Sequence, residues 1–285
     1  MKNKPLVSVV VPCYNHEEYV EETIESVLNQ TYKNIELIVI DDGSKDNSVQ
    51  VIQQLADKYG FTFIYRSNKG LSTTLNEAIG LSKGKYISLC ASDDVYMFDK
   101  IETQVEFMEE QPEYGMCYGK VVYFEDSIEN TSEYQNSNKQ GWVFEDLLHD
   151  CFIPAPSTFI RKDVLEELSG FDDKLWIEDW DMWLRIAQKY QIGFIDEFFT
   201  YYRMHDTNIS KETFKMYEAE KKILEKYINN KHYKKVIDKH KVMWFSLLSR
   251  SHKKESLKYL SHSIKYIFTD LTVLKSLVKL VFMKK

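Results

Sequence analysis

Runs and alternations of apolar residues divide the first 210 positions into strands and helices. Leu6 to Val11 is an almost wholly apolar run ahead of Pro12, the pattern of a strand buried on both faces. Tyr19, Val20, Ile24, Val27 and Leu28 then recur at helical spacing. Ile35 to Ile40 is a second buried strand ending at Asp41-Asp42-Gly43-Ser44. Asp46 or Asn47 is placed to cap a helix with apolar Val51, Ile52, Leu55 and Ala56. Phe61 to Tyr65 is a third strand, and Asn68-Lys69-Gly70 a loop before a helix over about 71–82. Gly84 ends that helix. Tyr86 to Cys90 is a fourth strand, running into Ser92-Asp93-Asp94.

Strand and helix in alternation predict a parallel sheet with helices on both faces, with ligands outside the carboxyl ends of its strands. Three of the first four strands end in polar residues: Tyr14-Asn15, Asp41-Asp42 and Asp93-Asp94. All three ends belong on one sheet edge. Further on, Gly115 to Phe124 reads as a strand and 125–140 as a polar, mobile loop. Phe152 to Arg161, Gly170-Phe171-Asp172 and Glu178 to Tyr190 read as strand, turn and helix. An apolar segment, Ile192 to Tyr202, precedes Arg203 and His205. Residues 211–285 are helical by pattern, which divides the chain into parts 1–210 and 211–285.

Composition changes this picture little, and charge more. The 285 residues are 44% apolar and 14% aromatic, ample for a large core. The net charge of −7 is unevenly spread. From Lys211 onward there are 19 Lys and Arg against 7 Asp and Glu; the preceding residues hold 18 against 37. An acidic body argues against nucleic acid as partner, and the basic tail needs its own explanation. Cys13, Cys90, Cys117 and Cys151 form no C-x-x-C pair, so neither a zinc site nor a disulfide framework is indicated. There is no signal-peptide pattern and no apolar run of membrane-spanning length, so the expected location is cytoplasmic.

Asp93 and Asp94 at a strand end are hard oxygen ligands suited to Mg²⁺ or Mn²⁺ beside a diphosphate; the plainer alternative is a turn with a helix cap. Turn chemistry accounts for Gly43 and one neighbouring aspartate, less readily for two. Glu178-Asp179 opens an amphipathic helix, where acids suit the helix dipole or, alternatively, one acts as general base. Arg203 and His205 are placed to hold a diphosphate or metal, or are simply surface groups.

In order, these segments resemble family 2 glycosyltransferases. The resemblance runs from Val7-Ser8-Val9-Val10-Val11-Pro12-Cys13-Tyr14-Asn15 through Ser26-Val27-Leu28-Asn29-Gln30-Thr31-Tyr32 and Glu36-Leu37-Ile38-Val39-Ile40-Asp41-Asp42-Gly43-Ser44. It continues through Asn68-Lys69-Gly70, Gly84-Lys85-Tyr86-Ile87, Ser92-Asp93-Asp94, Gly170-Phe171-Asp172, Glu178-Asp179-Trp180-Asp181 and Arg203-Met204-His205, covering about 5–210. It implies a GT-A fold: a mainly parallel sheet flanked by helices, with a Rossmann-like nucleotide-binding half and an acceptor half. The helical extension lies outside it. It also implies inverting transfer of one sugar from a nucleotide sugar, by default a UDP-sugar, to an acceptor hydroxyl in surface polysaccharide synthesis.

By the same resemblance Pro12, Tyr14, Asn15, Asp41, Asp42 and Lys69 serve the donor, with Tyr14 packing on the base. Asp93 contacts the ribose. Asp94, with His205, holds Mn²⁺ or Mg²⁺. Asp179 is the catalytic base, and Glu178, Trp180 and Arg203 lie near acceptor or phosphate. One departure stands out: many relatives have an acid where this chain has Ala91. The absence of a Gln-x-x-Arg-Trp motif implies one sugar per encounter rather than polymerisation. The acceptor is expected to be a glycan or lipid-linked saccharide.

A dehydrogenase is excluded because no G-x-G-x-x-G follows the first strand. A nucleotidyltransferase would need a glycine- and lysine-rich loop where Pro12-Cys13-Tyr14-Asn15-His16 stands. A non-catalytic nucleotide-sugar-binding relative is the other alternative. The amphipathic, basic tail has two readings: contact with an anionic membrane surface, or packing on the protein or a second copy.

Overall fold

The computed structural model describes residues 4–125, 127–133, 137–206, 208, 212–249, 251–266 and 271–282. Its first half follows the apolar pattern closely. Strand β1 (Val7–Cys13) leads to α1 (Val20–Leu28), β2 (Ile35–Asp41), α2 (Ser48–Tyr59), β3 (Thr62–Tyr65), α3 (Leu71–Leu81) and β4 (Tyr86–Leu89). Val7, Val9, Val10 and Val11 are all fully buried, because helices cover both faces of the parallel strands. Asn47 stands at the N-cap of α2 without a side-chain cap bond, and Asp46 just before it accepts from the Ser48 backbone N–H through Oδ1 (3.0 Å).

The remaining elements of the sheet are β5 (Val95–Tyr96), α4 (Lys100–Glu110), β6 (Tyr114–Phe124), β7 (Thr131–Glu133), β8 (Phe159–Arg161) and β9 (Gln191–Arg203). Between them lie α5 (Phe144–His149), a 3₁₀ turn at Ala155–Ser157, α6 (Lys162–Glu167) and α7 (Glu178–Ala187). Strand order is β3-β2-β1-β4-β8-β6-β9-β5, with β7 beside β6. The first four strands are parallel. Strand β8 runs antiparallel to β4 and β6, β9 parallel to β6, and β5 antiparallel to β9. The sheet is therefore mixed: parallel where the βα alternation holds, and mixed where it stops.

Two expectations change. Residues 131–133, read as loop, form an edge strand on β6, with Phe124 opposite Thr131. Its backbone supplies the pairing, so polar side chains conceal it from an apolar-pattern reading. Of the strand anticipated over 152–161, only Phe159–Arg161 is strand, since Pro154 and Pro156 hold the preceding residues in a 3₁₀ turn.

The chain divides into two compact units. The first comprises Met1–Leu147, Cys151–Lys174 and Glu178–His205; the second comprises Leu148–Asp150, Leu175–Ile177 and Asp206–Lys285. The second is helical, with α8 (Thr213–Glu225), α9 (Tyr233–Leu248), α10 (Lys253–Leu257), α11 (Leu260–Ser263), a 3₁₀ turn at Ile264–Tyr266 and α12 (Leu271–Phe282). Helix α9 is its hub, packing on α8, α10, α11 and α12. Trp244 is buried there, with Nε1 donating to Glu220 Oε2 (2.7 Å).

In the first unit, the turn before α7 is a backbone-strained joint. Ser169 and Gly170 both have positive φ, 61° and 72°. Asn76 Oδ1 accepts from the Phe171 N–H (2.8 Å), and its Nδ2 donates to the Phe171 carbonyl (2.8 Å). A Cβ on Gly170 would lie 2.4 Å from Asn76 Oδ1. Gly170→Ala is therefore expected to destabilise the protein by about 2–3 kcal/mol, read as a lowered denaturation midpoint. An unchanged midpoint would mean that this turn is not held as described.

Candidate active site

The carboxyl ends of β1, β2 and β4 lie on one edge, since Cys13 pairs with Asp41 and Val10 with Leu89. The loops there are tied by their own side chains. Asp41 is fully buried; its Oδ1 accepts from the N–H of Gly43 (3.0 Å) and Ser44 (2.8 Å), its Oδ2 from Ser44 Oγ (2.6 Å). Asp42 accepts from Lys69 N–H (2.8 Å), Gly70 N–H (2.9 Å) and the Arg66 guanidinium. Gly43, at φ 81°, lets these loops meet: a Cβ there would sit 2.7 Å from Asn68 N. Asn15 adopts φ 56°; its N–H donates to Ser44 Oγ and its Oδ1 accepts from Lys45 N–H, both at 2.8 Å. Tyr14 is 43% exposed, Pro12 half-buried and Lys69 exposed. Of this donor-side set, Tyr14 and Lys69 present side chains to solvent, while Asp41, Asp42 and Asn15 spend theirs on shaping the edge.

Strand β9 brings the late residues to the same place. Val95 of β5 pairs with Tyr201, and Phe124 of β6 with Arg203. The Arg203 N–H donates to Asp94 Oδ1 (3.0 Å), its Nε to the Asp93 carbonyl (2.9 Å), and its Nη2 to Glu22. The guanidinium lies 4.3 Å from the Phe124 ring centroid and 4.7 Å from that of Tyr19. Arg203 thus braces the strand end to the Asp93-Asp94 turn.

Beyond it, His205 Nε2 is 2.9 Å from Asp93 Oδ2, and its ring stacks on Tyr19 at 5.3 Å. A third group completes the cluster. Ligand-type atoms of His16, Asp93 and His205 all lie within 4.8 Å of one another. His16 Nδ1 is 2.8 Å from Ser92 Oγ, which orients its ring. Burial chiefly holds the His16 imidazole below its ordinary pKa, against the opposing pull of the Asp93 carboxylate, so it stays neutral and able to ligate. Two imidazoles and one carboxylate suit Mn²⁺ better than Mg²⁺, which favours oxygen ligands alone.

Asp94 is 2% exposed, and its Oδ1 accepts from the Arg203 N–H. Burial, with Asp93 as neighbour, raises its carboxyl well above the usual range. Asp93 thus meets His205, and Asp94 accepts from the β9 backbone. His16 was missing from the expected set. Its only signal was its place in the polar run after β1; proximity to Asp93 and His205 is a product of the fold.

On the acceptor side, α7 opens with Glu178 and Asp179, both half-buried. Desolvation raises the pair, with mutual repulsion lifting Glu178 further; Asp179 is pushed up to about 6. Asp179 Oδ1 accepts from the Trp180 N–H (2.6 Å). Trp180 is core, 2% exposed, with Nε1 donating to the Leu147 carbonyl (2.7 Å). Asp181, fully buried, holds Arg185 Nε (2.7 Å), whose Nη atoms donate to the Leu168 and Gly170 carbonyls. That network fixes α7 to the 169–171 turn. Burial chiefly, with the charges of Asp94 and Asp93, raises the phenol of Tyr202.

The same architecture occurs in solved glycosyltransferases. Over 96% of this chain and 88% of the other, it superposes on Staphylococcus aureus TarS 1–349 in complex with UDP-GlcNAc, with TM-score 0.68 and 15% identity. Mannosyltransferase PcManGT of Pyrobaculum calidifontis, solved with GDP-Man and Mn²⁺, matches over 100% of this chain and 89% of its own, with TM-score 0.65 and 14% identity. The fold is the GT-A fold of glycosyltransferases. At the level of sequence, the model of glycosyl transferase family 2 matches residues 8–169, and the chain belongs to this family. An uncharacterized glycosyltransferase of Rickettsia typhi is 31% identical over 229 residues, 75% of this chain and 70% of that protein. The Escherichia coli UDP-Glc:alpha-D-GlcNAc-diphosphoundecaprenol beta-1,3-glucosyltransferase WfaP is 30% identical over 215 residues, 74% and 82% respectively. The protein is a glycosyltransferase of this type.

Proposed function

We propose that the protein transfers a single sugar, with inversion, from a UDP-sugar to a hydroxyl of a lipid-linked saccharide during surface-polysaccharide synthesis on the cytoplasmic side. The observation that carries the reading is the His16–Asp93–His205 cluster at the carboxyl edge of the parallel strands, braced by Arg203 against the Asp93-Asp94 turn. The acceptor class rests on WfaP, whose name gives a diphosphoundecaprenol-linked acceptor.

Tyr14 packs on the base beside Pro12, on an edge shaped by Asn15, Asp41 and Asp42, with Lys69 near the phosphates. His16, Asp93 and His205 would hold Mn²⁺. Arg203 and Asp94 keep His205 in place, and His16 supplies the donor lost where relatives have an acid at Ala91. When bound, the cation offsets the charge that develops on the departing diphosphate. Asp179 accepts the proton of the acceptor hydroxyl as its oxygen attacks the anomeric carbon from the face opposite the diphosphate. The carbon–oxygen bond to the diphosphate breaks, and its electron pair leaves with the nucleoside diphosphate. Glu178 beside it keeps the pair's affinity for a proton high.

A thermal-shift panel tests this. UDP-glucose and UDP-N-acetylglucosamine with Mn²⁺ should raise the melting temperature by about 5 °C at a hundredfold excess over Kd, and by little without metal. The released product should be a nucleoside diphosphate. Release of pyrophosphate would overturn the assignment in favour of a nucleotidyltransferase, and metal-dependent binding without turnover would favour a non-catalytic relative.

A further inference from the structure

Among the described residues, no helix is long and apolar enough to cross a membrane. Helix α12 nevertheless carries more apolar surface than its packing uses. One face lies inward: Val273 is fully buried, Ser276 is 3% exposed, and Leu277 is half-buried. The opposite face presents Leu271, Leu274 and Val278, spaced three and four residues apart and 64%, 42% and 50% exposed. A packed helix ordinarily turns charged residues to the side away from its partner. Here that side is a second apolar stripe.

Charge indicates what covers it. Lys275 is exposed within the stripe. From Lys253 to the end the sequence holds eight lysines against two carboxylates, Glu255 and Asp270. Leu257, Ile264 and Tyr266 are exposed in the same segment, interleaved with exposed Lys254, Lys258 and Lys265. Lys258 pairs with Glu255, and the remaining excess of lysine among apolar side chains complements an anionic lipid headgroup layer over acyl chains. A second copy of this basic segment would meet it with like charge. At 12 residues α12 is about 18 Å long, too short for a bilayer core of about 30 Å, so it would lie flat in the interface.

We propose that the outward face of α12 docks the protein onto an anionic phospholipid surface, with Leu271, Leu274 and Val278 entering the acyl boundary and Lys275 meeting headgroups. The inference does not depend on which sugar is transferred.

Co-sedimentation of the full chain with vesicles tests it. Phosphatidylcholine vesicles containing about one-third phosphatidylglycerol should pellet the protein, and phosphatidylcholine alone should not. Rising salt should weaken the binding. Leu274→Glu with Val278→Glu should reduce partitioning about tenfold with no change in melting temperature, since both side chains already face water. Lys275→Glu, which keeps every apolar contact, should reduce it severalfold. Equal pelleting with both vesicle types, or full partitioning by the double variant, would overturn the proposal. So would light scattering that shows a dimer abolished by the double variant while the parent ignores vesicles; the stripe would then belong to a second copy.

Discussion

Asp179→Asn protein is expected to bind donor and Mn²⁺ as the parent does and to transfer sugar about a thousandfold more slowly. The substitution conserves shape, and an amide oxygen can still accept from the Trp180 N–H that now donates to Asp179 Oδ1. Lost is only the capacity to take a proton. Desolvation pushes the Asp179 carboxyl up to about 6, and a base works in its ionised form. In the parent, kcat/KM should therefore fall roughly tenfold per pH unit below about 6 and level off above it. Because Glu178 and Asp179 repel each other, that apparent value belongs to the pair. The variant should lack the acid limb altogether. Glu178→Gln serves as control: Glu178 is pushed up to about 8 and is already protonated where Asp179 titrates, so the limb should stay near 6 while activity persists. Should Glu178→Gln abolish transfer and Asp179→Asn spare it, the base would be the glutamate.

Asp93→Asn should have the second-largest effect. Asp93 is the sole carboxylate in the three-residue cluster, and its Oδ2 lies 2.9 Å from His205 Nε2. An asparagine preserves volume, but its neutral amide is a far weaker cation ligand. Apparent Mn²⁺ affinity, read as metal-dependent thermal stabilisation by UDP, should fall about a hundredfold. Transfer at limiting Mn²⁺ should fall in parallel. His16→Ala should cost about tenfold in the same titration, because one neutral donor of three is lost. Asp94→Asn discriminates between the two aspartates. Asp94 accepts the Arg203 N–H, so its loss should loosen the end of β9 and lower the melting temperature while Mn²⁺ dependence remains. Abolished Mn²⁺ binding in Asp94→Asn with normal binding in Asp93→Asn would return the metal to Asp94, the position implied by family resemblance.

The departures from expectation share a physical origin. Trp180 and Arg203 look like site residues by type and position, yet one is packed in the core and the other is held by Asp93, Asp94 and Glu22. Asp41 and Asp42 look like free carboxylates, yet each accepts hydrogen bonds from loop N–H groups. Residue type announces what a side chain can do, but hydrogen bonds from distant segments decide whether it remains available to a ligand. The Asp94–Arg203 bond joins residues 109 apart, and no local periodicity carries that information.

What the sequence by itself determined is the edge. Apolar runs long enough to be buried on both faces, separated by helical periods, leave β1, β2 and β4 parallel, so polar residues after each strand meet at their carboxyl ends. The ordered motifs along that edge already carried the family and the GT-A fold. Only the tertiary structure decided the rest: the antiparallel insertion of β8, the return of β9 against β5 and β6, and with it the gathering of His205, His16 and Asp93. Pairing of strands across long sequence separations depends on the whole core being formed. The placement of a metal-type cluster assembled that way is written in no single stretch of residues.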